Sequence, residues 1–246
     1  MTFVDHFSHQ AADYRRFRPG YPPELFAWIA AQTPERRLAV DCATGSGQAA
    51  VGLAAHFEAV VGLDGSIDQL RHAQRHSRVL YVAAVAERLP VATGRASLVA
   101  AAQAIHWFDF ERFHGECRRV LAPGGVLAAW TYGRLCVDPD VDAVVDHFHE
   151  DVVGRDWPPE RRYVEEGYRT IPFPWREAAT PAFALEAHWT REQVLGYLAT
   201  WSAVQRYRVR QGDDPLPDLR ERLARVWPAA ASKPVRWPLH LRFGYA

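Results

Sequence analysis

The segment Val40-Asp41-Cys42-Ala43-Thr44-Gly45-Ser46-Gly47-Gln48 decides how the rest of this chain is read. The apolar run Leu38–Ala43 predicts a strand, Gly45–Gly47 a tight turn, and Gln48–His56 a helix. Gly45-x-Gly47-x-x-Ala50 also satisfies the relaxed dinucleotide-loop pattern. Outward from it, Ala59–Asp64 predicts a second strand ending in an acid that can accept both hydroxyls of a ribose. A helix over Ile67–His76, a third strand over Val79–Ala84 and a fourth over Ala96–Gln103 follow. The helix Phe110–Leu121 ends at Pro123-Gly124-Gly125, and Val126–Thr131 is a fifth strand. Strands apolar on both faces and alternating with helices predict an α/β fold with a parallel sheet and right-handed crossovers.

The flanks read differently. Residues 1–34 are rich in aromatics and proline, with a helix expected over Pro23–Gln32. After about Arg134 the alternation stops. Residues 137–180 read as a cap of short helices and loops. Ala182–Trp189 and Val235–Tyr245 read as strands, Arg191–Val204 and Leu219–Val226 as helices. These strands are too few for a second sheet and are expected to extend the first. A single domain over 1–246 results, with an N-terminal lid (1–34), a cofactor core (35–135), and a cap with C-terminal strands (136–246).

Composition narrows the function. The chain has 246 residues with 29 Lys plus Arg against 29 Asp plus Glu, so no excess positive charge marks a nucleic-acid binder. No apolar run approaches the length of a membrane-spanning helix, and Met1–Gln10 lacks the apolar core of a signal peptide. Three scattered cysteines make neither a disulfide framework nor a metal site, which points to a reducing cytoplasm. His147-x-His149 and the remaining histidines form no metal triad, so no metal is expected.

The loop's electrostatics separate two cofactors. A dinucleotide would set its pyrophosphate at the helix N-terminus beside Asp41. Like charges about 4 Å apart repel by about 4 kcal/mol at an effective dielectric near 20. S-adenosylmethionine instead offers an ammonium that Asp41 attracts, and a carboxylate suited to the free amides at the start of the Gln48 helix. Asp41 can equally brace the loop by accepting backbone N–H groups.

Asp41-x-x-x-Gly45-x-Gly47, the strand-end Asp64, Ala86-Glu87-x-Leu89-Pro90 and Leu121-x-Pro123-Gly124-Gly125 stand in the order found in the class I S-adenosylmethionine-dependent methyltransferases, which this chain resembles over about 35–135. Tyr14-x-x-x-Arg18-Pro19-x-Tyr21-Pro22, Ile105-His106-Trp107-Phe108 and Tyr197-Leu198-x-Thr200-Trp201-Ser202 resemble a subgroup with trans-aconitate-type and yeast drug-detoxifying members. The resemblance implies a Rossmann-like, mostly parallel seven-stranded sheet with helices on both faces. It also implies S-adenosylmethionine as cofactor, S-adenosylhomocysteine as product and a small-molecule methyl acceptor, with the protein a monomer or homodimer away from nucleic acid and membrane. Two residues depart from the family pattern. Ala43 stands where a glycine is usual and disfavours positive φ. Val85 stands where an Asp often accepts from the adenine amino group, leaving adenine to the backbone near Ala86, with Glu87 as a helper.

The fourth strand ends near Gln103, so Gln103, His106 and Trp107 are expected to face the transferred methyl group. His106 is the candidate base for a hydroxyl or amine acceptor and would titrate near neutrality; a carboxylate acceptor needs no base. His106 can instead only orient substrate. Trp107 can wall the pocket or pack under the next helix, and Gln103 can touch ligand or brace its loop. Tyr14, Arg18 and Tyr21 form the expected lid, with Arg18 able to grip a carboxylate. Tyr197 and Trp201 are candidate pocket walls whose spacing equally fits a core stripe. The competing readings are an NAD-dependent oxidoreductase and an S-adenosylmethionine-binding protein without catalysis.

Overall fold

The computed structural model describes residues 19–228 and 231–246. Its centre is one eight-stranded sheet. The strands are β1 (Leu38–Cys42), β2 (Ala59–Asp64), β3 (Val79–Ala83), β4 (Ala96–Ala102), β5 (Leu121–Tyr132), β6 (Arg176–Glu177), β7 (Phe183–Thr190) and β8 (Ser232–Tyr245). In space they run β3-β2-β1-β4-β5-β8-β6, with β7 also on β8. β1 to β5 pair in parallel, and β8 lies antiparallel to β5 and to β7. The eighth strand, one more than the family pattern, is the two-residue β6, which pairs with the end of β8.

Alternation within strands splits the core. Leu98, Ala100, Val126, Ala128 and Trp130 face one apolar layer, while Val99, Ala101, Leu127 and Ala129 face the other. The first layer takes helices α1 (Pro23–Gln32) and α2 (Gln48–Ala54) together with the cap helices α5 (Pro139–His147), α7 (Arg191–Ala199), α8 (Ser202–Gln211) and α9 (Leu216–Val226). The second takes α4 (Phe110–Val120), α6 (Arg161–Glu165) and the chain up to Trp175.

β8 tolerates Pro234 and Pro238 for a readable reason. Arg236 exchanges both backbone hydrogen bonds with Cys136, so residues of its parity turn their amides away from β7. The missing proline N–H groups therefore fall outside the β7 ladder.

Two helices stop five residues earlier than periodicity predicts. Thr200 Oγ1 donates to Tyr197 O at 2.6 Å and closes α7, and Trp201 turns extended before α8, which splits the expected helix over 191–204. α3 (Ile67–Arg71) begins with Ser66 Oγ accepting from the Gln69 amide. It ends five residues before His76 because the chain is pulled onto the glycine loop: Gln74 N–H donates to Ser46 O at 2.9 Å, and Tyr81 Oη donates to Gln74 O at 2.6 Å.

Candidate active site

The loop after β1 is built from left-handed residues. Ala43, Gly45 and Gly47 have φ of 53°, 54° and 81°. Alanine at 43 does not block the turn; it adopts the positive φ that a glycine would reach without strain, at a cost of about 1 kcal/mol. Gly47 is required by packing as well as by φ, since a Cβ there would lie 2.1 Å from Tyr81 Oη. Gly47→Ala should therefore lower stability by about 2–4 kcal/mol in urea melts. Adding Tyr81→Phe should recover part of that loss; no recovery in the double variant would show that Tyr81 is not the obstacle.

Asp64, at the end of β2, ties the loop to the sheet. Its Oδ2 accepts from the Gly45 amide at 2.9 Å and its Oδ1 from the Ser66 amide at 2.8 Å. A carboxylate has about four acceptor positions, and these two amides take one on each oxygen. Past the ends of β2 and β3 stand exposed apolar side chains, Ile67 at 56% and Val85 at 39% exposure. A Cβ at Gly45 would meet nothing closer than Gln69 Oε1 at 3.9 Å, so the backbone there is open to close approach by a ligand.

Asp41 lies fully buried under the loop. Its Oδ2 accepts from Thr44 Oγ1 at 2.5 Å, while Oδ1 is buried without a hydrogen-bond partner among the described residues. Burial pushes its pKa up to about 7, against the lowering effect of the Thr44 and Ala50 contacts. An orphaned carboxylate oxygen beneath a glycine loop is what a cationic ligand would satisfy, and it fits S-adenosylmethionine better than a pyrophosphate.

Ala86 is buried after β3, and Glu87 does not reach outward as a helper for adenine. Its Oε1 accepts from the Asp109 amide at 3.0 Å, bracing the start of α4. Gln103 takes φ 53° and is held by β5: its Oε1 accepts from Thr131 Oγ1, and its backbone N–H donates to Trp130 O at 2.8 Å. Of the two roles open to Gln103, the structure displays the loop brace.

His106 sits in the short 3₁₀ turn Ile105–Trp107 that follows β4, against α6. It is 8% exposed, its Nδ1 lies 2.7 Å from Tyr168 Oη, and the Trp107 ring is 4.9 Å away. Burial, with the Arg161 charge second, holds its pKa down to about 3. A titration near neutrality is therefore not a property of this histidine. Tyr168 was not singled out from the sequence. It is fully buried with φ 63°, directly after Gly167 at φ 58°, and only the glycine hints at the turn.

Tyr21 packs edge-on against Trp130 at 5.6 Å and tilts toward Tyr132, at the carboxyl ends of the strands. Tyr14 and Arg18 lie outside the described residues. Tyr197 and Trp201, each 3% exposed, are joined to Trp189, Trp237, Phe148 and Trp157 in one aromatic cluster of the first core layer. In this structure they act as core, because the split between α7 and α8 turns both rings inward. His106 and Trp107 stand apart from them, at the turn after β4. Among the described residues no helix is long and apolar enough to cross a membrane.

Comparisons with known proteins agree with this geometry. A family model described as a methyltransferase domain matches residues 40–129. A methyltransferase-family protein of Dictyostelium discoideum is 32% identical over 229 residues, 92% of this chain and 87% of its own length. A solved methyltransferase-family structure from Anaeromyxobacter dehalogenans superposes with a TM-score of 0.87 at 47% identity, covering 93% of this chain and 98% of the other. An S-adenosylmethionine-dependent methyltransferase of Saccharomyces cerevisiae is 28% identical over 132 residues, 50% of this chain and 45% of that protein. With a glycine loop after β1, an acid ending β2 and an antiparallel strand beyond β5, and with the Dictyostelium and Anaeromyxobacter proteins matched along nearly the whole chain, the protein belongs to the class I S-adenosylmethionine-dependent methyltransferases.

Proposed function

We propose that this enzyme methylates a small molecule, on a hydroxyl or carboxylate oxygen, at an acceptor site formed by the turn after β4. The observation that carries the reading is His106, fixed in that turn at the carboxyl end of the sheet, where open α/β folds bind ligands. S-adenosylmethionine supplies a methyl group already activated on a sulfonium, so the protein's work is alignment and exclusion of water. Asp64, the carboxylate that ends β2 beside the glycine loop, is the acceptor for the ribose hydroxyls, and Asp41 Oδ1 has the unmet acceptor for an ammonium. Ile67 and Val85 offer apolar surface for a flat base, in place of the acid the family often has at position 85.

His106 orients the acceptor beside Trp107. Since its ring stays neutral down to about pH 3, kcat should show no limb from His106 between about pH 5 and 8. His106→Ala should still lower kcat on the order of 10²-fold, the effect of losing one positioned polar contact in a water-excluded site. Cofactor affinity should hardly move, because the groups proposed to bind it lie on β1, on β2 and in the segments after β2 and β3. A zero net charge argues against a nucleic-acid acceptor. The free cysteines, two of them buried, suit a reducing cytoplasm. The test is to incubate the enzyme with methyl-tritiated S-adenosylmethionine and separate pools of small metabolites, tRNA and protein. Label should enter the small-molecule pool, and label confined to RNA or protein would refute the reading.

A further inference from the structure

Tyr168 is in an unusual position for a bulky residue. It is fully buried, it holds a positive φ of 63°, and its hydroxyl lies 2.7 Å from Nδ1 of His106. Strained residues of this kind persist only where their surroundings over-determine them. Here the surroundings do. Gly167 sets the turn with its own φ of 58°, and a Cβ at 167 would lie 2.8 Å from the His240 ring. Arg242, on β8, donates to Tyr168 O at 3.0 Å and to Ile171 O at 2.6 Å and is itself paired with Glu177. The cap is thus anchored on the sheet at the residue whose hydroxyl meets the histidine.

We propose that Tyr168 is a positioning residue that holds His106 in the tautomer protonated at Nε2, so that His106 meets the methyl acceptor as a hydrogen-bond donor. The inference rests on the reading that His106 faces the acceptor. Two proton arrangements satisfy the 2.7 Å contact: the phenol donates to a bare Nδ1, or a protonated Nδ1 donates to the phenol oxygen. A phenol is a stronger acid than a neutral imidazole N–H, and an imidazole nitrogen is a stronger base than a phenol oxygen. The first arrangement is therefore preferred, and the single ring proton goes to Nε2. The surrounding burial keeps the ring from taking a second proton. Among the described residues Nε2 has no hydrogen-bond partner, so its N–H is left for a ligand. In this state His106 grips a lone pair of the acceptor and moves no proton itself. A carboxylate acceptor carries no proton to lose; a hydroxyl acceptor becomes a strongly acidic oxonium on methylation, and its proton passes to water when the site opens.

The experiment is nitrogen NMR of the ¹⁵N-histidine-labelled full chain with S-adenosylhomocysteine present. The chain has eleven histidines, and the signals lost in His106→Gln assign this one. The wild type should show His106 protonated at Nε2 and bare at Nδ1, unchanged from pH 6 to 8. Tyr168→Phe, which keeps the buried ring and removes only the hydroxyl, should show a mixture of tautomers. It should also lower turnover of the small-molecule pool by about tenfold, the size of one hydrogen bond, without changing S-adenosylhomocysteine affinity. A wild-type ring protonated at Nδ1, or the same tautomer in Tyr168→Phe, overturns the proposal. If the tautomer shifts as expected while His106→Ala leaves turnover intact, it is the acceptor-facing reading that fails, and Tyr168 orders a histidine with another task.

Discussion

Asp41→Asn should make the unliganded protein more stable at pH 8 and at the same time worse at binding its cofactor. In the unfolded chain this carboxyl ionises near the ordinary value of about 4. In the folded protein burial holds it protonated up to about 7. Between those values the native state carries a proton the unfolded state has released, so stability falls as pH rises, by about 1.4 kcal/mol per unit. Above pH 7 the full cost is present, and an isosteric neutral side chain removes it. The expected gain is on the order of 2–4 kcal/mol at pH 8, vanishing near pH 4. Urea melts of both proteins at pH 4.5 and 8 measure it, and equal stability at pH 8 would show that the buried carboxylate costs nothing. Titration with S-adenosylmethionine should show a roughly 10- to 100-fold loss of affinity, the size of a hydrogen bond to a charged group. A stability cost kept at one residue is the pattern expected where a ligand completes the site.

The second large effect is expected at Asp64. Asp64→Ala removes the proposed ribose acceptor and also frees the Gly45 and Ser66 amides that the carboxylate now holds. Affinity for S-adenosylhomocysteine should fall by about 2–3 kcal/mol, roughly 30- to 150-fold. Hydrogen exchange at Gly45 and Ser66 should quicken even without ligand, because both amides lose the carboxylate that holds them. Unchanged affinity together with faster exchange would confine Asp64 to bracing the loop.

Much of this molecule could be read before its structure. The strands β1 to β5 were legible because each is apolar on both faces and is punctuated by glycine, proline or an acid. The position of His106 followed from the same pattern, since one strand end fixes the next turn. What was not legible depends on particular side-chain contacts that apolar periodicity does not specify. The break between α7 and α8 is made by one threonine hydroxyl folding back on its own helix. α3 ends early because Tyr81 and Ser46 capture Gln74. His106 is met by Tyr168, 62 residues away, a contact that nothing near His106 in the sequence announces. Glu87 and Gln103 have the right chemistry for ligand contact, yet both are engaged by the Asp109 amide and by Thr131. Tyr197 and Trp201 illustrate the same limit: an aromatic stripe has one sequence pattern whether it lines a pocket or fills a core.

The most direct measurement is a crystal structure with S-adenosylhomocysteine bound. The ribose hydroxyls should lie on the Asp64 carboxylate, the ammonium end on the side of Asp41, and the sulfur should point toward the turn that carries His106. A ribose placed away from Asp64, or a sulfur facing away from His106, would contradict this account of where the methyl group is transferred.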